Sequence, residues 1–307
     1  MGTPEFAVES LKCLVEGGYN VVGVVTMPDK PMGRHQDVLQ ASPVKQYAVE
    51  HGLRVLQPVK LKDEAFVEEL RSLRADLQIV VAFRMLPEVV WNMPPMGTFN
   101  LHASLLPQYR GAAPINWAVI NGETETGITT FFLKHEIDTG EIIDREEIDI
   151  LPQDNAGTVH DKLMHLGARV VAATIGRIAD GTVKSHPQPE GEFVAAPKIF
   201  KDTCRICWEL PALQIHNLVR GLSPYPAAWS ELTDVNGKSN EIKIYKTILC
   251  DDSCEGRQPG ECFVKGDRLL VATGEGTLAI EELQPAGKKR MEAAAFLRGY
   301  HPAAFSK

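Results

Sequence analysis

Long apolar runs are missing from this chain of 307 residues. None approaches the ~18 residues that a membrane-spanning helix requires. No basic segment followed by an apolar stretch opens the sequence, so nothing reads as an export signal and a cytoplasmic protein is expected. The usual glycine signatures are also missing. There is no G-x-G-x-x-G, no P-loop and no G-x-S-x-G, which argues against a nicotinamide dehydrogenase, an NTPase and a serine hydrolase. The nearest approach, Gly274-Glu275-Gly276-Thr277, follows a strand without opening a helix and reads as a hairpin turn. Positive charge is in deficit, with 32 Lys and Arg against 40 Asp and Glu and a formal net charge of −8, so any grip on nucleic acid must be local. Cysteine is sparse, six in all, and in a long chain without an export signal these are expected to be reduced thiols. Cys204-x-x-Cys207 and Cys250-x3-Cys254 could pose as a zinc set. The second spacing is loose for that role, and no metal is expected.

What is present is ordinary globular material, 44% hydrophobic and 23% charged, long enough for about two domains of ~150 residues. Residues 1–180 alternate helix-like and strand-like pieces. Helical spacing covers Phe6–Glu16, Ser42–His51 with Ser42 as N-cap and Pro43 behind it, Asp63–Leu73, Ala113–Asn121 and Asn155–Asp180. Strand patterns cover Asn20–Thr26, Leu53–Leu56, Leu77–Phe83, Thr98–His102, Gly127–Leu133 and Glu141–Ile148. Such alternation predicts an open, mostly parallel α/β sheet covered by helices. Residues 181–196 are rich in Pro, Gly and polar side chains and read as a linker. Beyond them come a helix at Ala212–Val219 and short strands at 228–232, 241–249, 260–264, 268–273 and 277–283, a spacing that suggests a small barrel. The expected division is 1–181, a linker at 182–199, and 200–307. The opening Met1-Gly2-Thr3-Pro4 reads as the turn that follows a first, central strand. Its absence would strand buried backbone groups at ~1–3 kcal/mol each, so upstream residues are expected.

The most informative stretch is Phe99–Gly127, "FNLHASLLPQYRGAAPINWAVINGETETG". Side chains alternate along a strand, so Asn100 and His102 share one face, near the C-terminal end of a strand where open α/β sheets bind ligands. Asp138, in "HEIDTGEII", offers a third polar group from the loop between two later strands. An amide, an imidazole and a carboxylate suit acyl transfer: Asn100 and protonated His102 can donate to an oxyanion, and Asp138 can favour the charged imidazole. The same spacing also fits structural duty, with Asn100 in a turn, His102 satisfying a backbone group and Asp138 in an ordinary D-T-G turn. Because no covalent nucleophile stands out, an enzyme built on these groups would pass its group directly between two bound substrates.

That stretch, continued through "ITTFFLKHEIDTGEII", resembles the signature of the 10-formyltetrahydrofolate-dependent formyltransferases. "MGTPEFAVESL", "PDKPMGR", "SPVKQYA", "RGAAPI" and "LQPAGKKRM" resemble the branch that formylates methionyl initiator tRNA. The likeness covers nearly the whole chain and implies a Rossmann-like first domain and an OB-fold-like β-barrel second domain. Carried over by position, it implies Asn100, His102 and Asp138 as the catalytic trio. Ser104, Leu105, Leu106 and Pro107 would form a folate-contacting segment, and Phe83, Arg84, Met85 and Leu86 the edge of the pterin pocket. It places Arg34, in the insertion at about 28–41, on the tRNA acceptor stem; this loop reads "GRHQDVLQ", where the family is often more basic. Lys288, Lys289 and Arg290 offer a second basic strip for tRNA. The expected cosubstrate is 10-formyltetrahydrofolate, the partner methionyl initiator tRNA, and the state a monomer away from membranes. A transferase acting on a sugar nucleotide or another amine is the neighbouring alternative.

Overall fold

The computed structural model describes residues 1–32 and 38–306. In chain order the first elements are α1 (Glu5–Glu16), β1 (Val24–Val25), β2 (Lys30–Met32), β3 (Val38–Gln40), α2 (Pro43–Glu50), β4 (Val55–Leu56), α3 (Glu64–Ser72), β5 (Gln78–Val81) and α4 (Glu88–Trp91). Then follow β6 (Thr98–His102), β7 (Arg110–Gly111), α5 (Pro114–Ile120), β8 (Glu125–Phe132), β9 (Ile142–Asp149), α6 (Ala156–Ala179) and β10 (Ala195–Ala196). The remainder is α7 (Ala212–Leu222), β11 (Ala228–Asp234), β12 (Ser239–Cys250), β13 (Cys262–Lys265), β14 (Arg268–Ala272), β15 (Thr277–Pro285), β16 (Met291–Glu292), α8 (Ala293–Leu297) and β17 (Pro302–Phe305). Packing divides the chain into two compact units. The first holds 1–111, 126–148 and 160–195; the second holds 112–125, 149–159 and 196–307.

The helices of the first unit start where local chemistry lets them. Ser42 Oγ accepts from Lys45 N at 3.1 Å with Pro43 at the first helical position, and Asp63 Oδ1 accepts from Phe66 N at 3.1 Å. Strands β5, β6, β8 and β9 form one sheet in that order; β5–β6 is parallel and β6–β8 antiparallel. Strands β1 and β4 pair in parallel, Val24 with Val55 and Val25 with Leu56. Val25, Leu56, Phe66, Val67, Leu70, Val80 and Val90 make the core here.

Met1 and Gly2 lie between β1 and β5. Gly2 N donates to Val25 O at 3.0 Å, Val81 N to Met1 O at 2.9 Å, and the Met1 ammonium to Ile79 O at 2.6 Å. These bonds cover only one end of the slot, and a cavity of about 410 Å³ lined by Leu14, Tyr19, Val22, Leu77 and Ile178 lies beside it. The strand expected over Asn20–Thr26 accordingly shrinks to Val24–Val25. A ladder needs partners, and among the described residues only Gly2 and residues 54–56 supply them.

In the second unit the sheet runs β13-β14-β15-β12-β11-β17, with β16 alongside β15, and every one of these pairings is antiparallel. It nearly closes into a barrel, because Phe305 N donates to Gly260 O at 2.8 Å and Glu261 bridges Ala304. Trp208 is fully buried inside; it stacks on Phe305 at 4.7 Å and its Nε1 donates to Ser230 Oγ at 3.1 Å. The Gly274–Thr277 segment joins β14 to β15 as a hairpin turn. All six cysteines stand as free thiols.

Candidate active site

Strand β6 alternates as its sequence suggests. Phe99 and Leu101 are buried, Leu101 facing Gly167 of α6, and Asn100 and His102 share the opposite face. The tight turn after β6 is built by hydrogen bonds. Thr129 Oγ1, on the neighbouring β8, donates to Ser104 O at 2.7 Å and accepts from Leu106 N at 3.0 Å. Ser104 Oγ donates to Gln108 O at 2.7 Å. The turn returns the Tyr109 carbonyl onto the ring of His102, 2.9 Å from Nε2. A carbonyl can only accept, so Nε2 carries the hydrogen. The free edge of the imidazole is therefore Nδ1.

That edge faces Asp138, whose Oδ2 lies 3.9 Å from Nδ1. The distance suits an ion pair when the ring is protonated but is longer than a hydrogen bond. Both side chains are largely buried, 7% and 13% exposed, which strengthens any charge interaction between them. Asp138 itself is tightly held. Its Oδ2 accepts from Gly111 N at 3.0 Å, and its backbone sits at φ +56°, a left-handed conformation uncommon outside glycine. Two residues on, Gly140 lets the loop press against β8, where a Cβ would stand 1.6 Å from Phe132 O. Asn100 is half-buried, and among the described residues nothing bonds its side-chain amide. An amide donor, a buried imidazole and a pinned carboxylate can together stabilise an oxyanion and pass a proton.

The other expected site residues fall differently. Ser104, Leu106 and Pro107 are buried and Leu105 is half-buried, so this segment shapes the turn after β6 more than it presents side chains. Arg84 lies over Phe83 at 5.7 Å and donates to Val59 O at 2.8 Å and to Pro58 O. Met85 is exposed and Leu86 buried, both beside an open cavity of about 490 Å³ that Leu61 and Val89 also line. Lys288 and Lys289 are exposed in the turn between β15 and β16. Arg290 pairs with Glu282 and lies over the Tyr245 ring at 4.4 Å, which commits its charge within the chain. Arg34 lies outside the described residues. At the base of its loop, Lys45 and Gln57 hydrogen-bond Asp29 at 2.6 and 2.7 Å and hold its carboxyl below the usual carboxylate range. Sequence reasoning missed Tyr109, Gly111 and Gln188. The first two sit within recognisable motifs, whereas Gln188 lies in a stretch whose composition reads only as linker.

Residues 1–175 match the family model described as formyl transferase, and residues 198–301 match that of the formyl transferase C-terminal domain. The methionyl-tRNA formyltransferase of Bacteroides fragilis is 61% identical, the match covering 98% of this chain and 94% of that protein. The methionyl-tRNA formyltransferase of Phocaeicola vulgatus is 63% identical over the same shares. Among solved structures, a sugar 3N-formyl transferase crystallised with dTDP and 5-N-formyl-THF superposes with a TM-score of 0.66 at 19% identity. It covers 94% of this chain and 97% of its own. A Helicobacter canadensis N-formyltransferase in complex with folinic acid and dTDP-3-aminofucose gives 0.63 at 21% over the same shares. Likeness at that identity speaks for the fold alone.

Proposed function

Since this chain belongs to the formyl transferase family, we infer that it carries the formyl group of 10-formyltetrahydrofolate to the α-amine of methionyl initiator tRNA. The observation that carries this reading is near-full-length identity of 61–63% to methionyl-tRNA formyltransferases. The sugar-directed relatives share only the fold at about a fifth identity, so the nucleotide-sugar alternative has weaker support.

The α-amine, with an ordinary pKa of ~8, is roughly one quarter neutral near pH 7.5, enough to serve as the nucleophile without a strong base. It attacks the formyl carbon; the new N–C bond forms as the carbonyl becomes an oxyanion. On this reading Asn100 donates to that oxygen. One such donor is worth roughly 2.7–4 kcal/mol. His102 acts from its Nδ1 edge, because Tyr109 O occupies Nε2. Asp138 faces that edge at 3.9 Å and helps pass the amine's proton toward N10, whose bond to the formyl carbon breaks. Holding two substrates together supplies the remaining advantage, since no covalent intermediate is needed.

The folate lies along the turn after β6 and the segment from Phe83 to Leu86. The tRNA meets Arg34 and the exposed Lys288 and Lys289. The functional division is 1–181, 182–199 and 200–307, working as a monomer in the cytoplasm. The test offers the protein labelled 10-formyltetrahydrofolate with methionyl initiator tRNA or a dTDP-amino sugar. Label on methionine alone is the expected result; label on the sugar alone would overturn the choice of acceptor.

A further inference from the structure

We propose that Gln188 is a positioning residue for this reaction, a latch that sets the carboxylate of Asp138 against His102. This rests on the reading of the site given above. The side chain of Gln188 is engaged at both ends. Its Nε2 donates to Asp138 O at 2.8 Å and to Gly140 O at 2.9 Å, and its Oε1 accepts from Arg110, at 2.5 Å from Nη2 and 3.2 Å from Nε. Its neighbours dictate which end is which: a guanidinium only donates and carbonyls only accept. Only a neutral amide of this length meets both demands. A carboxylate would satisfy Arg110 but turn lone pairs on the two carbonyls, and a cation could not accept from Arg110.

What the latch holds is a loop conformation that does not hold itself. Asp138 stands at φ +56°, and such backbone persists where surrounding bonds over-determine it. Two carbonyls gathered on one amide, with Gly140 packed against Phe132 O, supply that constraint. The other end of the loop is tied through Gly111 N to Asp138 Oδ2, next to Arg110 in sequence. Arg110 and Gly111 therefore grip the aspartate at both ends, directly through its carboxylate and, by way of Gln188, through its backbone. The segment carrying Gln188 has its own anchor, since His186 and Ile142 exchange backbone hydrogen bonds at 2.9 and 3.0 Å. Losing the Gln188 amide should thus loosen the Asp138 loop without unravelling the segment.

The experiment measures kcat and KM for the full-length protein and Gln188→Glu, using 10-formyltetrahydrofolate and methionyl initiator tRNA, alone and in an Asp138→Asn background. Ser185→Ala, which removes the 2.6 Å bond to Glu141 on the same segment, serves as control. Expected are a fall in kcat of about ten- to a hundredfold for Gln188→Glu, folate KM within about twofold, an unchanged Tm, and wild-type kcat for Ser185→Ala. In the Asp138→Asn background the second substitution should cost about twofold or less, because the group it positions is already lost. If Gln188→Glu does not fold, Gln188→Ala, which removes the amide without adding a charge, carries the same expectations. Wild-type kcat in a folded Gln188 variant, or losses that multiply in the double variant, would overturn the latch. No transfer by the wild-type protein would instead overturn the reading on which it rests.

Discussion

At the scale of single residues, the site depends on which atoms are already engaged. His102 has one ring nitrogen bound to Tyr109 O, while the amide of Asn100 has no partner among the described residues and can meet a ligand. Asn100→Ala should therefore lower kcat by ~10²–10³-fold with little change in folate KM, measured by steady-state formyl transfer. Thiol chemistry gives an independent check. Cys207 is exposed, whereas Cys262 is held in apolar surroundings that push its thiol up to about 12. At pH 8 the thiolate of Cys262 is scarce, so iodoacetamide followed by peptide mapping should modify Cys207 well before Cys262. The shared face of Asn100 and His102 on β6, and the turn that carries Asp138, were legible in the sequence because a period of two and a D-T-G turn are local signals. Gln188 was not, because its role comes from two carbonyls nearly fifty residues away that only the fold brings to it.

At the scale of elements, helices and strands follow their local chemistry wherever a neighbour completes it. Strand β6 lies where its alternation predicts, Thr98–His102, and the barrel strands differ from expectation by a few residues at their ends. Asn20–Gly23 fail as strand for want of partners, although their composition is apolar. The ribbon of β2 and β3 and the C-terminal α8 and β17 carry no strong period and escaped notice. The N-cap of α3 gives an expected value: Asp63→Ala should destabilise the protein by about 1 kcal/mol in urea titration, with kcat retained. Inside the barrel, Trp208→Ala removes a fully buried ring, its stack on Phe305 and its bond to Ser230, and should cost about 3–5 kcal/mol. Chemical denaturation followed by tryptophan fluorescence and circular dichroism would register that loss.

At the scale of the whole molecule, an acidic protein must reach an acidic partner through a few local cations. Lys288 and Lys289 are exposed and unpaired by any acid among the described residues, whereas Arg290 is held by Glu282 and Tyr245. Replacing both lysines by Ala should reduce the slope of log KM for tRNA against log salt by about 1–2, and Arg290→Ala should change it less. Kinetics at a series of salt concentrations would separate these cases. The chemistry itself is most directly tested by the single-turnover rate of formyl transfer from 10-formyltetrahydrofolate to methionyl initiator tRNA, both saturating, in the wild-type protein and in His102→Ala. A rate lower by ~10²-fold or more in a folded variant that still binds folate is predicted. An unchanged rate would contradict it.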